Sequence, residues 1–291
     1  MPVRSKKERF EKLRALLSMA GFLLLGVSCL PDPLEVTSVP KAGTQLVISS
    51  QIIPDQSLVV LVTKTFGALD ASNDSDPEDL LDFIAVNDAL VTLEGPNGLD
   101  TLALLTNGTY GGVLIPFEAG EVFSLYVKSV ELGEVHATTV VKPKVDFTNI
   151  DAELYYNGFN DTLAQITYTL SDAPEPNWYM INVQEVERED LIANLLNPRA
   201  FTILVPDDEF NGESYSERFR VFPRDYQPGD TIAVSLSNIS EEYYGFMKLR
   251  IDNRLSLVEF ISEPINYPSN VVGGKGYFNL YIPDVRVFVF D

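Results

Sequence analysis

Apolar and polar residues alternate along this chain in short runs, and turn-forming residues break the runs. TQLVISSQI (44–52) and SLVVLVTKTF (57–66) flank a proline and an aspartate, and ALVTLEG (89–95) meets the turn GPNG (95–98). TLALL (101–105) is followed by the turn cluster TNGTYGG (106–112), and EVFSLYVKSV (121–130) and EVHATTVV (134–141) flank a Leu-Gly pair. Alternation with period two turns one face of each run towards a core, and turn signals at this spacing predict an Ig-like β-sandwich over residues 44–143. PKVDFTN (143–149) then leads into a second series: AELYYNGF (152–159), LAQITYTLSD (163–172), NWYMINVQEVE (177–187), FTILVPD (201–207), SERFRVF (216–222) and TIAVSLSNIS (231–240). Helical signals interrupt the strands. Ser240 as N-cap, with Glu241 and Glu242 in the first turn, predicts a helix near 240–254, and REDLIANLL (188–196) reads as a second short one. Pro77 opens a third short helical pattern, with Asp76 as its cap. The expected fold is mainly β: an N-terminal Ig-like β-sandwich, then a β-rich domain over 144–291 with one or two short helices.

The first 28 residues follow a different pattern. Arg4, Lys6, Lys7, Arg9, Lys12 and Arg14 precede an uncharged apolar run, ALLSMAGFLLLGV (15–27). That run is short of the roughly 20 residues a permanent membrane helix needs, and the layout is that of a secretory signal peptide over 1–28. Ser28 then precedes Cys29, the only cysteine of the chain. A lone cysteine forms no internal disulfide, and with His136 as the only histidine it has too few partners for zinc. Its sequence context, Leu25-Gly26-Val27-Ser28-Cys29, resembles a bacterial lipobox. The resemblance implies thioether attachment of diacylglycerol to Cys29, cleavage before it, and acylation of the new amino group. Two or three acyl chains, at about 0.8 kcal/mol per buried methylene, anchor a protein stably. Residues 29–43, rich in proline, read as a tether from the lipid to the first strand.

Charge narrows the function classes. The chain carries 21 basic and 42 acidic residues. Removing 1–28 leaves 15 basic against 40 acidic side chains, a net −25. Such a surface repels phosphate backbones, which argues against nucleic acid as a partner. With 17 phenylalanines and 13 tyrosines there is ample material for a core without disulfides.

Catalytic chemistry finds little footing. A Ser–His–Asp triad would have to use His136, which lies in a strand pattern, and no GxSxG elbow is present. Carboxylate pairs of the glycosidase kind arise by chance among so many acids, and sequence singles none out. The acidic stretch DASNDSDPED (70–79) offers oxygen ligands at Asp74, Asp76 and Glu78. It lacks the glycine and the downstream glutamate of an EF-hand loop, so it reads as a solvated loop, and Asp207-Asp208-Glu209 reads the same way. The chain is therefore expected to be no enzyme and to need no metal or cofactor.

PSNVVGGKGYF (268–278) gathers Gly273, Gly274 and Gly276 around one lysine without the spacing of a P-loop. Glycine costs roughly 0.5–1 kcal/mol relative to alanine in regular structure, so these positions need either positive φ or close backbone approach. Asn270, Gly273, Gly274, Gly276 and Tyr277 are the candidate binding residues; the alternative is a glycine-lined turn that only seats the last strand.

LSNISEEYYGFMKL (236–249) followed by YPSNVVGGKGYF (267–278) resembles the C-terminal signature of a Bacteroidota lipoprotein family of unknown function. The lipobox and the TNGTYGG turn fit the same family. The resemblance implies an outer-membrane location, at the periplasmic face or the cell surface, and a TonB-dependent receptor as partner. It carries no catalytic residues. The expected function is thus a lipid-anchored accessory or binding protein working with a TonB-dependent transporter. The alternatives are a structural or adhesive surface lipoprotein and a carboxylate-based glycosidase.

Overall fold

Alternation becomes burial in the first strand, β1 (Leu46–Ile52), where Leu46, Ile48, Ser50 and Ile52 face inwards and the residues between them do not. The computed structural model describes residues 43–52, 58–66, 77–112, 114–158, 161–186, 201–222, 225–254 and 266–291. Cys29, the tether up to Ala42, the acidic stretch 70–76 and the predicted helix 188–196 lie outside the described residues.

The first lobe continues with β2 (Leu58–Lys64), helix α1 (Pro77–Ile84), β3 (Leu90–Gly95), β4 (Gly98–Thr106), β5 (Thr109–Gly111), β6 (Val122–Ser129) and β7 (Gly133–Val140). Together with β14 (Lys275–Tyr277), these strands form an eight-stranded sheet in the order β14-β1-β2-β5-β4-β3-β6-β7. β4 turns the corner. Its residues Leu99–Leu102 pair with β3, and Ala103–Thr106 pair with β5 across an irregular register. The sheet folds over a core of Leu46, Ile48, Val60, Val62, Leu93, Phe123, Leu125 and their neighbours.

The second lobe is built from β8 (Phe147–Tyr156), β9 (Thr162–Ser171), β10 (Trp178–Glu185), β11 (Phe201–Pro206), β12 (Ser214–Val221), β13 (Thr231–Ile239) and β15 (Asp284–Val289). One sheet runs β12-β9-β8 and the other β11-β10-β13-β15. Numbered within the lobe, strands 1, 2 and 5 face strands 3, 4, 6 and 7, which is a seven-stranded Ig-like order with its usual crossovers between sheets. Ile166, Tyr168, Tyr179, Ile181, Val234 and Leu236 fill the space between them. The chain is mainly β with sandwich-like sheets, as expected.

The connection from β13 to β15 departs from the simple division at residue 143/144. It carries helix α2 (Glu241–Arg254) and β14. Ser240 caps the helix: its Oγ accepts from Tyr243 N at 3.2 Å, and its carbonyl accepts from Tyr244 N at 2.9 Å. Tyr243 and Phe246 of α2, then Val271, Tyr277, Phe278, Leu280 and Tyr281, join the first core rather than the second. Met180 and Ile239, from β10 and β13, reach the same core. The chain then returns to the second lobe through Asp284, whose carboxylate accepts from Phe147 N at 2.9 Å and pairs with Arg286 at 3.0 Å. One side chain therefore pins both the entry to and the final return to the second lobe. Among the described residues, no helix is long and apolar enough to cross a membrane.

Candidate functional site

The glycine-rich segment lies between β1 and β7, and its strand β14 forms one end of the eight-stranded sheet. Val272 exchanges backbone hydrogen bonds with His136 of β7, at 2.8 and 3.3 Å. Three residues later β14 begins, parallel to β1, with Val47, Ile48 and Ser49 opposite Lys275, Gly276 and Tyr277. The segment thus closes the sheet on itself and leaves neither edge free along this stretch, a seam between strands distant in sequence.

The glycines are what let the seam close. Gly276 has φ +100°, and a Cβ there would stand 1.9 Å from the Ile48 carbonyl oxygen. At Gly274 a Cβ would stand 2.6 Å from the Leu46 carbonyl oxygen and 2.9 Å from Val135 Cγ1. Gly273, at φ +85°, turns the chain between the two pairings. Of the two reasons glycine is used, positive φ and close approach, Gly276 shows both.

Two asparagines fasten the seam. Asn270 donates from Nδ2 to the Phe278 carbonyl at 2.7 Å and accepts from Phe278 N at 2.9 Å, so its amide replaces a missing strand partner. Asn279 N donates to Ser50 Oγ at 2.8 Å, and that hydroxyl donates to the Asn279 carbonyl at 3.0 Å. Tyr277 is 6 % exposed and packs against Tyr243 and Phe246; Phe278 is fully buried. Burial holds the Tyr243 hydroxyl up to about 12. The five residues read from sequence as a binding set are therefore brought together, with their glycines against strand backbone and Tyr277 turned into the core. Pro268, Ser269, Val272, Gly273 and Lys275 are the parts of the segment that face outwards. His136 is a strand-surface histidine, its ring stacked on that of Tyr126.

A second constellation was not singled out in the sequence. At one pole of the seven-stranded sandwich, five polar side chains meet: Asp172 after β9, Asn177 and Tyr179 at the start of β10, Asp207 after β11, and Asn238 in β13. Asn177 is the hub. Its N donates to Asp207 Oδ2 at 2.6 Å, and its Nδ2 donates to Asp172 Oδ1 at 3.2 Å and to the Glu175 carbonyl. Asn238 Nδ2 donates to Asn177 Oδ1 at 2.9 Å. Asp172 also accepts from the Tyr179 hydroxyl and from Gly212 N. Burial, then the hydrogen bond to Asp172 and the charges of Asp172 and Asp207, raise the Tyr179 hydroxyl well above its ordinary range, so it stays a donor.

Asp207, expected to be solvated with its two acidic neighbours, is only 3 % exposed, while Asp208 and Glu209 do face solvent. The turn after β11 folds back under the sheet, with Phe210 N on the Asp207 carbonyl, and draws the carboxylate inside. A signal for this pole exists in the sequence. Ile232, Val234, Leu236 and Asn238 share one parity in TIAVSLSNIS, so an asparagine occupies a position the pattern assigns to the core.

With the fold in place, the family model described as "Domain of unknown function (DUF4249)" matches residues 32–284. The chain belongs to the DUF4249 family. The match takes in β1 to β14 of this DUF4249 chain and ends at Asp284, the first residue of β15. None of the curated proteins matches it. Among solved structures, a segment of two fibronectin type III domains from chicken tenascin is similar at 9 % identity, over 68 % of this chain and 91 % of that one, with a TM-score of 0.20. At that score the likeness carries no weight, and the Ig-like assignment rests on the strand order.

Proposed function

We propose that this DUF4249 chain is a lipid-anchored, non-catalytic accessory or binding protein of the outer membrane that works with a TonB-dependent transporter. The observation that carries the reading is the N-terminal layout: six basic residues, an uncharged run of thirteen that ends at Val27, then Ser28 and Cys29. The net −25 beyond Ser28 adds support, because so acidic a surface gains nothing from anionic lipid heads and depends on an acyl anchor for attachment. The resemblance of residues 236–278 to lipoproteins encoded beside TonB-dependent receptors supplies the partner.

Two measurements test it. Cells fed a radioactive fatty acid should label the wild-type protein and not Cys29→Ala, which should persist as uncleaved precursor. A tagged wild-type protein purified from detergent-solubilised outer membrane should bring down a TonB-dependent barrel identified by mass spectrometry. Label on the alanine variant overturns the anchor. A labelled, membrane-bound protein that purifies without any such barrel overturns the partnership and favours the adhesive alternative.

A further inference from the structure

On the outward face of the β12-β9-β8 sheet, acids and arginines stand in separate columns, and the pairing register sets them in rows. Glu153, Gln165 and Arg220 form one row across the three strands, and Asp151, Thr167 and Arg218 form the next. A neutral row follows, of Asn149, Thr169 and Ser216. Ile166 and Tyr168, which alternate with these residues in β9, point the other way into the core. Asp151, Glu153, Arg218 and Arg220 are all exposed. β8 thus presents carboxylates, β9 uncharged side chains and β12 guanidinium groups.

Hydrogen bonds fix this arrangement. Gln165, only 5 % exposed, donates from Nε2 to Glu153 Oε1 at 2.6 Å and accepts from Arg220 Nε at 3.0 Å. Arg218 Nε donates to Thr167 Oγ1 at 3.2 Å. The Arg220 guanidinium also lies 3.6 Å from the centre of the Tyr155 ring. Both arginines therefore spend Nε on an uncharged neighbour, and their terminal nitrogens have no partner among the described residues. The carboxylates of the same rows stand two strands away, roughly 9–10 Å between backbones, with Gln165 and Thr167 between. The ion pairs among the described residues are Lys128–Glu134, Lys144–Asp146 and Arg286–Asp284, and none of these four side chains takes part.

This pattern is complementary to itself. A two-fold axis laid along the strands over β9 exchanges β8 with β12 and keeps each row in place. It sets Asp151 against Arg218 of a second copy, Glu153 against Arg220 of that copy, and the reverse. Charges within a column are two residues apart, about 6.6–6.8 Å on either strand, so both rows match together. An axis laid across the strands would instead set carboxylate on carboxylate. Stacked sheets sit about 10 Å apart, a gap that an arginine and a carboxylate fill from opposite sides. A uniformly acidic partner would suit the arginine column and be repelled by the carboxylate column. We infer that this face binds a second copy of the chain through these reciprocal ion pairs, in the isologous two-fold form commonest among oligomers. Anchoring of each guanidinium in advance lowers the ordering cost of pairing. Beyond Ser28 each chain carries a net −25, but the face itself is balanced. At physiological ionic strength, repulsion between exposed charges is screened beyond about 8 Å, and pairs in contact are screened less. The inference is independent of the proposed anchor and transporter.

The test uses full-length protein purified in detergent at about 0.15 M salt, in two forms with different affinity tags. Capture of one tag should bring down the other. Asp151→Lys and Arg218→Glu leave the Glu153–Gln165–Arg220 row intact, and each should keep a Tm near that of wild type. Each variant should associate with itself at least about tenfold more weakly, because like charges then face each other. A mixture of the two variants should regain association, since the reversed charges then meet. The inference is overturned if wild-type copies do not capture each other, or if either variant associates with itself as wild type does. It is equally overturned if both variants lose association and their mixture does not regain it. Should either variant fail to accumulate, Asp151→Asn combined with Arg218→Gln keeps the side-chain shapes and should weaken association several-fold. Unchanged association of that double variant overturns the inference instead.

Discussion

The seam of the first lobe and the pole of the second both depend on buried asparagines, yet they leave opposite remainders. At the seam, Asn270 uses both ends of its amide on one residue, Phe278. Among the described residues, the buried side-chain atoms left without partners in that lobe are a donor, Asn279 Nδ2, and the hydroxyls of Thr109 and Ser129, which can serve either way. At the pole, Asn238 uses only its donor end, and its unused oxygen belongs to a group that already holds two carboxylates. An amide that matches backbone at both ends, as that of Asn270 does, replaces a strand. One that matches on one side only leaves an acceptor for which a water molecule is a sufficient donor.

The largest expected effect is at Gly276. Alanine there meets both a positive φ and the Ile48 carbonyl, and should cost at least about 3 kcal/mol, read as loss of soluble protein or collapse of Tm. If Gly276→Ala folds with an unchanged Tm and instead loses a membrane partner, the seam is a docking surface and the contrast between seam and pole fails. Next, Asn270→Ala should destabilise by about 1–3 kcal/mol in denaturant, since it strands both polar groups of Phe278. Asn270→Asp, which keeps an acceptor for Phe278 N, should lose less than Asn270→Ala in the same titration.

Alkaline pH probes both regions at once. Tyr243 beside the seam is held up to about 12, and Tyr179 at the pole is raised further by burial and the carboxylates beneath it. A tyrosine with a raised folded pKa contributes stability that is complete below pH ~10 and is lost as pH climbs from there through the folded value. Unfolding should therefore set in above pH ~10, and tyrosinate absorbance in the near ultraviolet should rise together with loss of far-ultraviolet strand signal. Smooth ionisation of every tyrosine near pH ~10 with the fold intact would contradict the burial of both. The smallest effect should come from Ser240→Ala, at about 1 kcal/mol, because the cap serves one end of one helix.

Much of the architecture was legible because it is local. Alternation located the strands, and Ser240 with two glutamates located the start of α2. The three glycines announced a constrained backbone, and the seam is where that constraint is used. What stayed hidden is long-range. No local pattern says that residues 271–281 leave the lobe that precedes and follows them and complete the other one, since an apolar residue such as Phe278 looks the same whichever core receives it. The pole was half legible. Asn238 stood at a core position of its strand, but Asp207 shares its stretch with two exposed acids, and only the turn after β11 separates their fates.

The seam also sets an order of events. Ser50 and Asn279, which clasp each other in the finished protein, are 229 residues apart. Whatever compartment receives this chain amino-terminus first, β1 and β7 must wait with open margins until residues 272–277 have arrived. Long-range pairing of this kind is slow, and unpaired margins invite association with other chains. A ribosome that stalls or a protease that trims after residue 265 leaves the second lobe short of one strand and the first without its closure. Residues 266–291 thus become a condition for both halves.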